Sequence, residues 1–177
     1  MKTYIALLRG INVGGQKKIK MADLRQALEK TGFLDVTTYI QSGNIIFNDE
    51  KEDITALSDK ISKTILDSFG FNVPVLVKTA KEIKDILNQN PFVEDELNVN
   101  YYILLKNIPD ATLVETLGKE DYPDEAIAIT NSCVYLHSLK GYRNAKFSNN
   151  YIERKLKVSA TARNQRTMQK LLALSQN

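Results

Sequence analysis

Apolar positions along the chain switch between two periods, and the switches mark its elements. Residues 3–8 are an almost unbroken apolar run that reads as a strand. Met21, Leu24, Ala27 and Leu28 then recur at helical spacing, with Gly32 suited to the left-handed position after a helix end. Residues 36–41 and 45–48 read as paired strands, joined through Ser42-Gly43-Asn44, which supplies the small and positive-φ residues of a tight hairpin. Ile54, Leu57, Ile61, Ile65 and Phe69 form the stripe of a long amphipathic helix, and residues 73–78, interrupted by Pro74, read as an edge strand. The first half thus has the order β-α-β-β-α-β, a ferredoxin-like arrangement.

Thr79-Ala80-Lys81-Glu82 has capping-box spacing and opens a connecting helix through Ile83, Ile86 and Leu87. Pro91 closes it, and the acidic run 94–96 reads as a surface loop. The pattern then restarts: a strand at 101–105, a short helix capped by Asp110, and a hairpin of 126–129 and 133–137 around Thr130-Asn131-Ser132. A helix begun near Ser148 carries Ile152 and Leu156, and a last one runs from about Asn164 with Met168, Leu171 and Leu172 on one face. This second half reads as β-α-β-β-α-α, with a helix where a sixth element would be a strand. The expected class is α+β: duplicated ferredoxin-like β-α-β-β-α halves with antiparallel sheets and an extra C-terminal helix. The expected boundaries are 1–78 for the first half, 79–99 for the connecting helix and loop, and 100–177 for the second half. No Gly/Ser-rich or Pro-rich linker separates the halves, which argues against two freely moving domains.

Composition narrows the class without changing it. The 177 residues are 43% hydrophobic and 25% charged, ordinary for a globular fold. No apolar run approaches the ~20 residues a membrane-spanning helix needs. The single cysteine, Cys133, forbids an intramolecular disulfide, so the expectation is a cytoplasmic protein with no membrane partner. The net charge of +3 is unevenly spread: residues 1–30 carry 7 Lys/Arg and 2 Asp/Glu, residues 139–177 carry 9 and 1, and the middle is acidic. Basic ends of this kind favour an anionic partner.

The glycine- and lysine-rich loop after the first strand invites a phosphate-binding reading, but strict motifs fail. Gln16 separates Gly15 from Lys17, unlike a Walker loop, and Gly10, Gly14 and Gly15 lack dinucleotide-fingerprint spacing. What remains is backbone N–H groups exposed by glycines near a helix start, beside Arg9, Lys17, Lys18 and Lys20. Arg163 and Arg166 likewise flank a helix start, where a cation is repelled unless an anion balances it. Lys140-Gly141-Tyr142 matches the opening of an RNA-recognition signature, and the match stops at Arg143-Asn144. The only histidine, His137, lies four strand residues from Cys133, roughly 13 Å away, too far to activate it. One cysteine and one histidine are too few for a structural zinc site, and no spacing singles out a catalytic pair of carboxylates, so no metal or cofactor is expected.

Several separated runs resemble a known family. Leu8-Arg9-Gly10-Ile11-Asn12-Val13-Gly14-Gly15, Met21-Ala22-Asp23-Leu24-Arg25, Thr38-Tyr39-Ile40-Gln41-Ser42-Gly43-Asn44 and Thr161-Ala162-Arg163-Asn164 are similar, in order, to hallmark motifs of the bacterial domain of unknown function 1697 family. The resemblance implies a cytosolic bacterial protein with a duplicated ferredoxin-like fold, and it implies no activity. Gln165 stands where the family pattern leads one to expect an aromatic residue.

These readings converge on an expected anionic, phosphorylated small molecule, either bound or turned over without a metal. Arg9 and the Gly14-Gly15 backbone would hold the anion, with Asn12, Lys17 or Lys20 assisting and Arg163 with Asn164 closing from the C-terminal motif. Gln41, Ser42 and Asn44 would hydrogen-bond the ligand body, although local turn bonding accounts for the same three residues. The rival is a nucleic-acid-binding module using the basic ends and the strand tyrosines Tyr39, Tyr101, Tyr102 and Tyr135. A third reading makes the acidic middle a protein-binding surface.

Overall fold

The elements follow the apolar periods closely. A computed structural model describes residues 1–92 and 99–176. The first half contains β1 (Lys2–Leu8), α1 (Met21–Lys30), β2 (Leu34–Tyr39), β3 (Asn44–Asp49), α2 (Ile54–Phe69), β4 (Val75–Thr79) and α3 (Ala80–Asn88). The second contains β5 (Asn100–Leu105), α4 (Ala111–Gly118), β6 (Glu125–Ile129), β7 (Cys133–Ser138), a 3-10 turn at Tyr142–Asn144, α5 (Asn149–Leu156), β8 (Ala160–Asn164) and α6 (Gln165–Leu174). The acidic run 94–96, expected as a surface loop, lies outside the described residues.

Each half builds a four-stranded antiparallel sheet. The orders are β2-β3-β1-β4 and β6-β7-β5-β8, so the second repeats the first strand for strand. This corrects one expectation. Thr161-Ala162-Arg163-Asn164 is a strand, β8, whose Ala162 pairs with Ile103 as Val77 pairs with Ala6 in the other sheet. Only Thr161 favours a strand by residue type, so the ladder with β5 imposes that state, and the helix begins only at Gln165. Both halves are therefore β-α-β-β-α-β followed by a helix. The edge strand expected at 73–78 is β4, and it begins just after Pro74.

The chain divides into two compact units, Met1–Ile83 with Leu171–Asn177, and Lys84–Lys170. In the first unit, Leu24 and Leu28 of α1 and Leu57, Ile61 and Ile65 of α2 pack on Tyr4, Ala6, Ile45 and Phe47 of the sheet. In the second, Leu117 of α4 and Ile152 and Leu156 of α5 pack on Ile103, Leu105, Val134 and Leu136. Burying each of these large side chains contributes roughly 1.5–3 kcal/mol before entropy is subtracted. The capping box closes as its spacing predicts. The Thr79 hydroxyl accepts from the Glu82 N–H at 3.2 Å, and Glu82 Oε2 accepts from the Thr79 N–H at 2.8 Å. Among the described residues, no helix is long and apolar enough to cross a membrane.

Candidate functional site

The first unit concentrates left-handed backbone in two adjoining loops. Gly10, Asn12, Gly14, Gly15 and Lys17 in the β1–α1 loop, and Ile40 and Gly43 in the β2–β3 hairpin, all have positive φ. Gly14 (φ 59°) and Gly15 (φ 77°) form the centre of a tight turn, closed by the Gln16 N–H donating to the Val13 carbonyl at 3.1 Å. Two successive positive φ values are what a type I′ turn requires, and two glycines supply them. Gly43 is required for a second reason. A Cβ built there would lie 2.7 Å from both Leu8 Cβ and Ile11 Cδ1, so the hairpin lies directly against the end of β1. Ile40, β-branched, left-handed (φ 50°) and 48% exposed, is the least favourable of these placements.

Asn12 fastens the two loops. Its side-chain N–H group donates to the Ile19 carbonyl at 2.9 Å and to the Gln41 carbonyl at 2.8 Å, while its Oδ1 accepts from the Ile19 N–H at 2.9 Å. Its amide is therefore spent on loop shape, and Asn12 acts here as a positioning residue. Lys17 is also committed: its ammonium donates to the Asn72 carbonyl at 2.6 Å. Asn44 is fully buried, and its amide donates to the Tyr39 carbonyl and to Ser42 Oγ, so turn bonding accounts for these two polar side chains.

An open groove of about 840 Å³ lies beside these loops, with Asn12, Gly15, Lys18, Lys20 and Gln41 on its polar side and Phe69 of α2 as an apolar wall. Its end is the first turn of α1, from Met21 to Asp23. That turn starts from Lys20, whose backbone is extended and whose side chain makes no capping hydrogen bond. Early N–H groups of a helix lack partners inside the helix, and the aligned peptide dipoles place partial positive charge there. A lysine at the cap position adds to that charge. Asp23 is the carboxylate at this end, and it offsets part of the positive charge. The matching helix of the second half, α4, starts differently. Asp110 Oδ1 accepts from the Thr112 and Leu113 N–H groups, at 2.9 and 3.3 Å.

Of the sequence-predicted residues, the groove gathers Asn12, Gly15, Lys20 and Gln41. It adds Lys18, which the sequence placed beside the loop without assigning it to the ligand, and Phe69, which no sequence signal singled out. Lys20 directly before a helical stripe, where Ser, Thr or Asp is the usual cap, is the signal that points to this end. Arg9 follows β1, half-buried, with its N–H donating to the Pro74 carbonyl at 3.0 Å.

Arg163 and Asn164 belong to the second unit. Arg163 is buried in β8, with one guanidinium nitrogen donating to Thr161 Oγ1 at 2.9 Å and to the Ala162 carbonyl at 2.8 Å. Burial pushes its guanidinium down to about 10, against a smaller opposing influence of Tyr142. Asn164 caps α6, its Oδ1 accepting from the Thr167 N–H at 2.9 Å. Gln165 is buried too and accepts from the Tyr102 hydroxyl at 3.1 Å, while Asn90 donates to that same hydroxyl. Tyr135 is buried edge-on against Tyr102 and donates to the Ile86 carbonyl; its burial raises the phenol above its ordinary range. His137 pairs through Nδ1 with Asn100 Oδ1 at 2.8 Å.

Fold and loop pattern together define a duplicated α+β protein of a recognisable kind. Residues 1–135 match the family described as protein of unknown function (DUF1697), and the chain belongs to that family. Among solved structures it is similar to the conserved bacterial protein SP0830 from Streptococcus pneumoniae, with a TM-score of 0.76 and 22% identity over 98% of each chain. That likeness is one of fold. No curated protein matches the chain.

Proposed function

We propose that the groove of the first unit binds a small anionic molecule, with a phosphorylated and hydroxylated compound fitting its chemistry best. The observation that carries this reading is the contrast between the two helix starts. α4 is capped by Asp110, while α1 begins on an uncapped lysine facing a groove. The capped version is the more stable design by about 1 kcal/mol, so the uncapped one favours an anion from outside the chain. Lys18 and Lys20 supply charge, Gly15 leaves the backbone approachable, and Gln41 and Asp23 offer polar partners to the ligand's hydroxyl groups. Phe69 provides a flat wall for its apolar part. In this reading Arg9 contributes charge from the end of β1, and Arg163 and Asn164 serve their own unit.

The test is a thermal-shift screen of phosphorylated metabolites, with inorganic phosphate as the minimal probe. A ligand at about 100 times its dissociation constant stabilises by roughly 2.7 kcal/mol. Replacement of both Lys18 and Lys20 by alanine should abolish the shift. A shift that survives that replacement would place the ligand elsewhere. Of the four tyrosines in the nucleic-acid reading, Tyr102 and Tyr135 are buried and hydrogen-bonded, which leaves the half-buried Tyr39 and Tyr101 for stacking.

A further inference from the structure

The second sheet ends in a strand edge that the groove reading does not use. Its edge strand, β6, pairs on one side only, with β7. Antiparallel ladders alternate hydrogen-bonded and non-hydrogen-bonded pairs, and here the alternation is fixed at both ends. The Thr130 N–H donates to the Cys133 carbonyl at 2.9 Å, and the Leu139 N–H donates to the Asp124 carbonyl at 3.0 Å. The main-chain groups of Ala126 and Ala128 therefore face β7, and those of Glu125, Ile127 and Ile129 point outward. Glu125 spends its N–H on the Tyr122 carbonyl at 3.2 Å. Among the described residues, no hydrogen bond reaches the N–H and C=O groups of Ile127 and Ile129. Ala126 is exposed, and the rest of the strand is half-buried.

The corresponding edge of the first sheet is guarded. β2 carries a register shift between Leu34 and Thr37, and Asp35 inside it is left-handed (φ 51°), with Oδ2 accepting from the Asn48 amide at 2.8 Å. A bulge and an edge charge of this kind keep one strand from adding to another. β6 has neither device. Its register with β7 is unbroken, and Ala126-Ile127-Ala128-Ile129 is uncharged. The carboxylate of Glu125 is held by its own unit, accepting from the Lys146 and Phe147 N–H groups at 2.7 and 3.1 Å.

This edge is its own complement. Two β6 strands related by a two-fold axis at Ile127 pair antiparallel, with Ile127 facing Ile127, Ala126 facing Ala128 and Ile129 facing Glu125. The outward groups then coincide. The two Ile127 residues exchange N–H···O=C bonds, and each Ile129 N–H meets the Glu125 carbonyl of the other copy. Charge selects the antiparallel sense. Asp124 and Glu125 stand at one end of the strand, and neutral Thr130-Asn131-Ser132 at the other. Antiparallel pairing sets each acidic end beside a neutral one, with the two Glu125 residues about 13 Å apart along the strand, where parallel pairing would stack them at about 5 Å. We propose that the chain forms a two-fold dimer through β6, joining two four-stranded sheets into one of eight strands. A five-residue edge is well short of the about 20–30 residues a side of a standard interface, so the dimer is reversible and concentration-dependent.

Sedimentation equilibrium of the full chain, from micromolar to millimolar concentration, tests this. The average mass should rise from 20.0 kDa toward twice that value. Ile127→Pro removes the central donor without touching a bond to β7, and should hold the mass at the monomer value. Ile127 also packs on the core of its unit, so a second pair of variants separates association from folding. Ala126→Lys/Ala128→Lys and Ala126→Glu/Ala128→Glu each place like charges opposite one another across the two-fold, and each should be monomeric alone. Mixed in equal amounts, the two should associate again. Thr37→Lys, on the guarded edge of the first sheet, should dimerise as the wild type does. The proposal is overturned if the wild type stays at 20.0 kDa at millimolar concentration, or if either like-charged variant dimerises undiminished. A mixture of the two that stays monomeric, or a loss of the dimer in Thr37→Lys, would overturn it too.

Discussion

The side chain of Asn12 reaches the main-chain carbonyl of Gln41 at 2.8 Å, and that bond ties the loop after β1 to the hairpin between β2 and β3. Neither loop is regular, so the groove wall they form depends on this tie. Replacing Asn12 by alanine removes three side-chain bonds and should cost roughly 2–3 kcal/mol in urea unfolding. A loss well under 1 kcal/mol would mean that the two loops hold their shape independently.

The cap position of α1 sets stability against binding. Lys20→Ser supplies the missing acceptor and should raise stability by about 0.5–1 kcal/mol. The same change should weaken any anion that stabilises the wild-type chain in the thermal-shift assay. A variant that gains stability and binds the anion undiminished would separate the groove from the helix end.

Lys17 and Lys18 are neighbours in sequence but not in role. Lys17→Ala removes the bond to the Asn72 carbonyl and should cost about 1 kcal/mol or somewhat more, with ligand binding unchanged. Lys18→Ala should do the reverse, leaving denaturation midpoints where they are and weakening the ligand. Equal effects on binding would show that both lysines face it.

Gly43→Ala and Gly14→Ala make a paired test of backbone against packing. Both glycines are left-handed, which costs an alanine about 1–2 kcal/mol. Only at Gly43 does the new Cβ run into Leu8 and Ile11, adding a further 1–3 kcal/mol of overpacking. Comparable melting temperatures for the two variants would rule out the close approach of hairpin and strand.

Glu120 gives a pH signature. Its hydrogen bond from Lys155, then that from Tyr151, hold its carboxyl below the ordinary value of 4.5. A lowered folded value means that the contribution is fully present above about pH 4.5 and fades as pH falls through the folded value. The stability difference between the wild type and Glu120→Gln should therefore be constant near neutrality and shrink on acidification. A difference independent of pH would show that the carboxylate's charge contributes nothing.

Periodicity made the helices and the central strands readable, because burial on one face leaves a repeat of 3.6 or 2. The hairpin at 42–44 was equally plain from Gly43. Strand β8 was not: Thr161-Ala162-Arg163-Asn164 is short, polar and basic, and its strand state comes from pairing with β5. Residues that line the groove were legible where a glycine-rich loop with lysines ran into a helix start, as at Gly15 and Lys20. Asn12 and Lys17 were found as polar residues, but their structural roles lie in partners at Gln41 and Asn72 that no local pattern reveals.

The equivalence of the two sheets has a practical consequence at their first connections. Residues 9–20 join β1 to α1, whereas residues 106–110 make the corresponding step from β5 to α4. The shorter connection is a ready-made blueprint for a loop-deleted first unit, already accepted by the same strand order elsewhere in the molecule. Grafting it would leave a scaffold stripped of its groove, against which the contribution of the longer loop can be read directly.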